Sequence, residues 1–173
     1  MTKPEATRSK TAEPLLLVDV QDALSNDEVD QPPSASLLSD WANKAHSEID
    51  TETCEVTVRL VDEVEMTELN QVYRGKIGST NVLSFPVEND FDLISSDDGG
   101  LPRLLGDIVI CHSVVENEAS EQNKSPQAHY AHMVTHGILH LHGYDHLDDS
   151  SAEQMEALEA KILSYSGFEN PYT

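Results

Sequence analysis

A chain of 173 residues with 32 acidic against 10 basic side chains carries a formal net charge of −22 and is long enough to bury a core without staples. So negative a surface repels polyanions at long range and lacks the basic balance of an ordinary nucleic-acid binder; a salty cytoplasm would favour the same composition. No window approaches the roughly 20 apolar residues of a membrane helix. Cys54 and Cys111 stand too far apart for a CxxC knuckle and read as buried thiols in a reducing cytosol.

Residues 1–13, MTKPEATRSKTAE, are polar throughout, which predicts a disordered tail with neither signal nor anchor, ahead of one domain over residues 14–173. Leu15 to Val20 reads as a strand, and Ser34 to Ala45 carries helical spacing in Leu37, Leu38, Trp41 and Ala45. From Cys54 to Leu60 the chain alternates, with Cys54, Val56, Val58 and Leu60 on one face and Glu55, Thr57 and Arg59 on the other: a half-buried strand. Asp62 then caps a helix, with Glu65 as capping-box partner, an apolar stripe of Met66, Leu69, Val72 and Tyr73, and a stop at Gly75. Asn81 to Val87 is a strand whose Pro86 marks an edge or an end. Glu88 to Pro102 is rich in Asp, Ser and Gly and reads as a loop; Gly106 to Cys111 is the fourth strand, leading to a helix from Ser113 to Gln122.

Ser125-Pro126, a cap followed by a first-turn proline, opens a helix that Gly143 ends. A last helix is expected from Ser151, with Gln154 as box partner, Met155, Leu158 and Ile162 as its stripe, and Gly167 as its stop. The order β-α-β-α-β-β-α-α-α predicts a single α+β domain: a small mixed four-stranded sheet packed with about five helices.

The chemistry concentrates in HMVTHGILHLHGYDH, residues 132–146. Ala131, Val134, Ile138 and Leu141 form the expected buried stripe, while His129, His132, His136 and His140 recur at three- and four-residue steps on the opposite side. Histidines four apart on a helix can converge on one ion. Gly143 lets the chain turn so that His146 adds a third nitrogen from the loop. Three neutral imidazoles suit zinc, with nickel or cobalt chemically possible, and a set of three leaves the open position of a catalytic site. His129, His132 and His142 are expected to be ordinary hydrogen-bonded histidines, His132 standing close enough to be a neighbour of the ligands.

The spacing HxxxHxxGxxH is also that of metzincin peptidases, where a Glu follows the first histidine as general base. Gly137 occupies that position here and cannot accept a proton. Arg59 on its own reads as a surface arginine, with Glu55 or Thr57 beside it, and no residue stands out as a general base.

HGILHLHGYDH closely resembles the H-G-x-L-H-L-x-G-Y-D-H signature of the YbeY family of bacterial ribosomal-RNA maturation factors. The resemblance extends through ELNQVYRGKIGSTNVLSFP (residues 68–86), LGDIVIC (residues 105–111) and the tail GFENPY. It implies a zinc-dependent, single-strand-specific endoribonuclease of the cytoplasm, acting in small-subunit rRNA 3′-end maturation and ribosome quality control. It matches His136, His140 and His146 to the family's zinc ligands, and Arg59 to an arginine placed near the metal, where a guanidinium would clamp the phosphate in catalysis. The implied partners are single-stranded RNA of the small subunit and ribosomal proteins. A zinc-stabilised assembly factor with little turnover remains the alternative, since a charge of −22 suits docking on basic ribosomal proteins.

Overall fold

Alternation of β-branched and polar residues builds four strands around which everything else is arranged, and the computed structural model describes them within residues 15–25, 30–88 and 101–173. Strands β1 (Leu16–Asp22), β2 (Cys54–Val61), β3 (Val82–Pro86) and β4 (Arg103–Cys111) form one sheet of order β1-β2-β4-β3. β1, β2 and β4 run parallel, and β3 pairs antiparallel with β4 at an edge, so Pro86 ends an edge strand. Helices α1 (Ala35–Ile49), α2 (Glu63–Arg74), α3 (His112–Glu121), α4 (Pro126–Leu141) and α5 (Asp149–Ser164) complete the expected order. The polar tail expected over residues 1–13, and residues 89–100 of the expected loop, fall outside the described residues.

Local chemistry sets most boundaries. Ser34 accepts a hydrogen bond from Leu37 N, Asp62 from Glu65 N and Ser125 from Ala128 N, each satisfying a first-turn amide. Gly75 closes α2 in the left-handed conformation, at φ 63°. Three expectations need correction. The Glu65 carboxylate does not complete a capping box, because Arg59 engages it. Helix α5 begins two residues early: Asp148 is its cap and Ser151 its reciprocal partner, in place of Ser151 and Gln154. The fourth strand begins at Arg103, across a bulge where the pairing of Glu55 with Leu104 gives way to that of Val56 with Gly106.

The two faces of the sheet are covered unequally. One face, with Cys54, Val56, Val58 and Leu60 of β2 and Ile108 of β4, belongs to the main core with α1, α4 and α5. On the other, Val61, Leu83, Val109 and Cys111 of the sheet are buried together with Met66 of α2. Val72 and Tyr73, expected on the buried stripe of α2, are instead 73% and 60% exposed, because none of the described residues forms a further layer over that helix. Helix α4 departs in the opposite sense. It packs against α1, α3, α5, β3 and β4. Tyr130, Met133, Thr135, Gly137 and Leu139 are therefore buried along with the expected stripe, and so is His129.

Candidate metal centre

Helix α4 carries His136 and His140 on successive turns, and the chain reverses through Gly143, at φ 91°, to present His146 from the loop before α5. The ring nitrogens offered by these three residues all lie within 4.8 Å of one another. His136 Nε2 and His140 Nε2 are 2.9 Å apart, and the His146 ring centroid lies 5.7 Å and 5.3 Å from theirs. Two nitrogens bound at 2.0–2.1 Å to a tetrahedral ion stand roughly 3.3 Å apart, so the pair sits close to the spacing that an ion requires. Burial and the neighbouring His136 and His146 hold the His140 pKa below its ordinary value, against smaller upward pulls from Asp145 and the Tyr144 backbone. That favours the neutral imidazole, the ligating form.

A buried carboxylate stands behind the histidines. Glu159 of α5 has no exposed surface. Its Oε1 accepts from His136 Nδ1 at 2.7 Å, and its Oε2 from His132 Nε2 at 2.7 Å and from the Tyr172 hydroxyl. Burial pushes this carboxyl up, but the three hydrogen bonds outweigh it and bring the pKa down to about 2. Tyr172 moves upward, from burial and from the charge of Glu159. The sequence reading missed both residues. His129, at the next turn of the same stripe, donates instead to Glu118 at 2.6 Å, and Asn81 Nδ2 donates to both oxygens of that carboxylate. His142 turns away to His46, at 3.0 Å.

Arg59 is not brought to the histidines. Its side chain leaves β2 on the α2 face of the sheet, where Nη2 and Nε meet Glu65 Oε1 at 2.8 and 3.2 Å and Nη1 donates to Gln21 Oε1 at 3.1 Å. It lines a groove of about 400 Å³ with Thr57, Leu69, Tyr73, Phe85 and Asp107, and no histidine is among the described residues lining it. The arginine expected near the metal thus faces the side of the sheet away from α4. The expected partner was also different: Glu65 rather than Glu55. Gly137 points into the core, and a Cβ there would meet Ile108 at 2.9 Å. The position of the metzincin base therefore looks at the sheet rather than at the three histidines. Asp50, Glu52 and Cys54 form the other group whose atoms converge among the described residues, but Arg103 already pairs with Asp50 at 3.0 Å and with Glu52 at 3.6 Å.

Three convergent histidines on a central helix and its following loop, in a small α+β protein, could hold a metal ion, and comparison with known proteins says which family carries them. The model of the endoribonuclease YbeY family matches residues 19–167, and the chain belongs to that family. Membership carries the class of activity, hydrolysis of internal phosphodiester bonds in RNA, and supports a role in rRNA processing. The fold is similar to the solution structure of TM1509 from Thermotoga maritima, at 30% identity over 86% of this chain and 87% of that one, with a TM-score of 0.55. No described helix is long and apolar enough to cross a membrane.

Proposed function

We infer that this protein is a metal-dependent, single-strand-specific endoribonuclease of the cytoplasm, acting in small-subunit rRNA 3′-end maturation and ribosome quality control. The observation that carries the reading is the convergence of His136, His140 and His146 within 4.8 Å, in a member of an endoribonuclease family. The donor set fits zinc best, with nickel or cobalt as chemical alternatives. An ion bound there supplies Lewis acidity toward a phosphate oxygen and activates water near neutral pH. The chain's own contribution is to hold three neutral nitrogens on a rigid helix and loop, with one side open to solvent through the exposed His146. Arg59 grips RNA in this reading as well. From its groove on the other face it takes a phosphate other than the one cut, exchanging Glu65 for the phosphate oxygens.

The peptidase reading has no base, since Gly137 faces Ile108. The assembly-factor reading draws on the charge of −22, which favours basic ribosomal proteins as partners over naked RNA. Turnover separates the two. Metal-loaded, nuclease-free protein should cut a single-stranded oligonucleotide over many cycles, spare its duplex and release nothing from a peptide library. His136→Ala and His140→Ala should lose both the ion and the cleavage. Full metal occupancy in both variants would overturn the site; tight RNA binding without turnover would leave a binder.

A further inference from the structure

Buried carboxylates are rare because removing the charge from water is costly unless donors hydrogen-bond to it. Glu159 meets that requirement in an unusual way. Among the described residues its hydrogen-bond partners are His132, His136 and Tyr172, with no lysine or arginine. A carboxylate only accepts, so each facing ring nitrogen must carry a proton. His136 is therefore protonated on Nδ1. Its Nε2, left with a lone pair, is the nitrogen 2.9 Å from His140 Nε2. The one hydrogen bond to Glu159 thus selects the tautomer that can ligate and fixes the ring plane that aims it.

The second oxygen of Glu159 is fastened separately. It accepts from His132 and from Tyr172, whose hydroxyl also lies 3.0 Å from His132 Nε2. Tyr172 lies beyond the end of α5, so the segment after that helix folds back against it to reach this point. Helix, carboxylate and tail form one chain of contacts ending on His136.

We propose that Glu159 is the positioning residue of the histidine centre, setting the tautomer and orientation of His136, and that Tyr172 is the latch that keeps Glu159 in register. The proposal rests on the metal reading above and adds the residues that prepare the site for the ion. A carboxylate behind a ligating histidine is worth roughly 10–100-fold in metal affinity.

The test uses the full chain with Glu159→Gln, Tyr172→Phe and His140→Ala. Three measurements are made: cobalt affinity by chelator competition, the visible spectrum of the cobalt-loaded protein, and the histidine nitrogen shifts of the metal-free protein by NMR. Wild type should show His136 as the Nδ1–H tautomer before any metal is added. Glu159→Gln should lose that uniform tautomer, bind cobalt roughly 10–100-fold more weakly and alter the spectrum; Tyr172→Phe should move each in the same direction by a few-fold. An Nε2–H tautomer of His136 in wild type overturns the proposal even if Glu159→Gln does not fold. So does wild-type cobalt affinity and spectrum in Glu159→Gln, provided His140→Ala has lost the ion. If His140→Ala binds as wild type does, the metal reading has failed instead.

Discussion

The two faces of the sheet put the same strands to different uses. On the α4 face, every second residue of β2 is buried beneath three helices, and the buried carboxylate Glu159 is held by His132, His136 and Tyr172, while His129 pairs with Glu118. On the α2 face, a single helix covers part of the sheet, and Arg59, Glu65 and Gln21 pair in an open groove beside the exposed Tyr73. Ligand geometry that must hold to fractions of an ångström belongs on the first face, where neighbouring side chains cannot relax. A groove that exchanges an ion pair for a phosphate belongs on the second.

The largest effect tests what joins the faces. Gly106 lies in β4 at φ 140°, and a Cβ there would stand 2.1 Å from the Phe85 carbonyl oxygen. Backbone cannot yield as a side chain would, so Gly106→Ala should cost on the order of 3–5 kcal/mol and displace β3, as read by urea denaturation. A loss below about 1 kcal/mol would mean that the edge strand is held less tightly than its pairing implies.

A pair of truncations compares the faces directly. Ile108→Ala empties the contact of β4 with Gly137 and should cost about 3–4 kcal/mol; Met66→Ala, under the thin layer, should cost about 2–3 kcal/mol and leave metal content unchanged. Equal metal loss in both would couple the faces in a way their separate clusters do not suggest.

Acid should act on the thick face first. Burial holds His129, His140 and His142 below the ordinary histidine value of 6.5. The unfolded chain therefore binds protons that the fold refuses, so stability is full above about pH 6.5 and is lost as pH falls below it. Glu159 is also lowered, so the stability it contributes is full above the ordinary carboxylate value of 4.5 and is lost as pH falls from there toward its folded pKa of about 2. Chemical denaturation of the metal-free protein at stepped pH should show decline from about 6.5; a flat profile down to about pH 5 would contradict the burial of these rings.

Much of this was legible in the sequence because it rests on local rules. Alternation located β2, helical spacing located α1, aspartate and serine caps located α2 and α4, and the histidine spacing located the candidate ligands. What escaped depended on which surfaces meet. Glu159 sits in a helix with three other acids and looks like one more solvated charge. Its position four after Met155 and three before Ile162, on the helix's own apolar stripe, was the signal that could have exposed it. Tyr172 offered none, since nothing local says where a tail folds. Asp148, Asp149, Ser150 and Ser151 can all cap, so the first turn of α5 was ambiguous by one turn. Arg59 was placed on the correct face of its strand by alternation, but which helix covers that face is a property of the whole sheet.

The smallest expected effect on stability is the one that most sharpens the comparison. The Arg59–Glu65 pair is about one-third exposed on both sides, at 35% and 34%, so Arg59→Ala should change stability by less than about 1 kcal/mol and leave the metal in place. If Arg59 grips a phosphate away from the cut, the variant should bind single-stranded RNA several-fold more weakly. The slope of log affinity against log salt should fall by about one, with the single-turnover rate at saturating RNA nearly unchanged. Arg59→Lys should restore the salt slope, because any cation releases counterions, but only part of the affinity, because an ammonium lacks the bidentate fork. A hundredfold fall in the saturated rate, with fold and metal intact, would put the guanidinium on the reacting phosphate after all. RNA would then have to pass around the sheet edge and bring the two faces into one site.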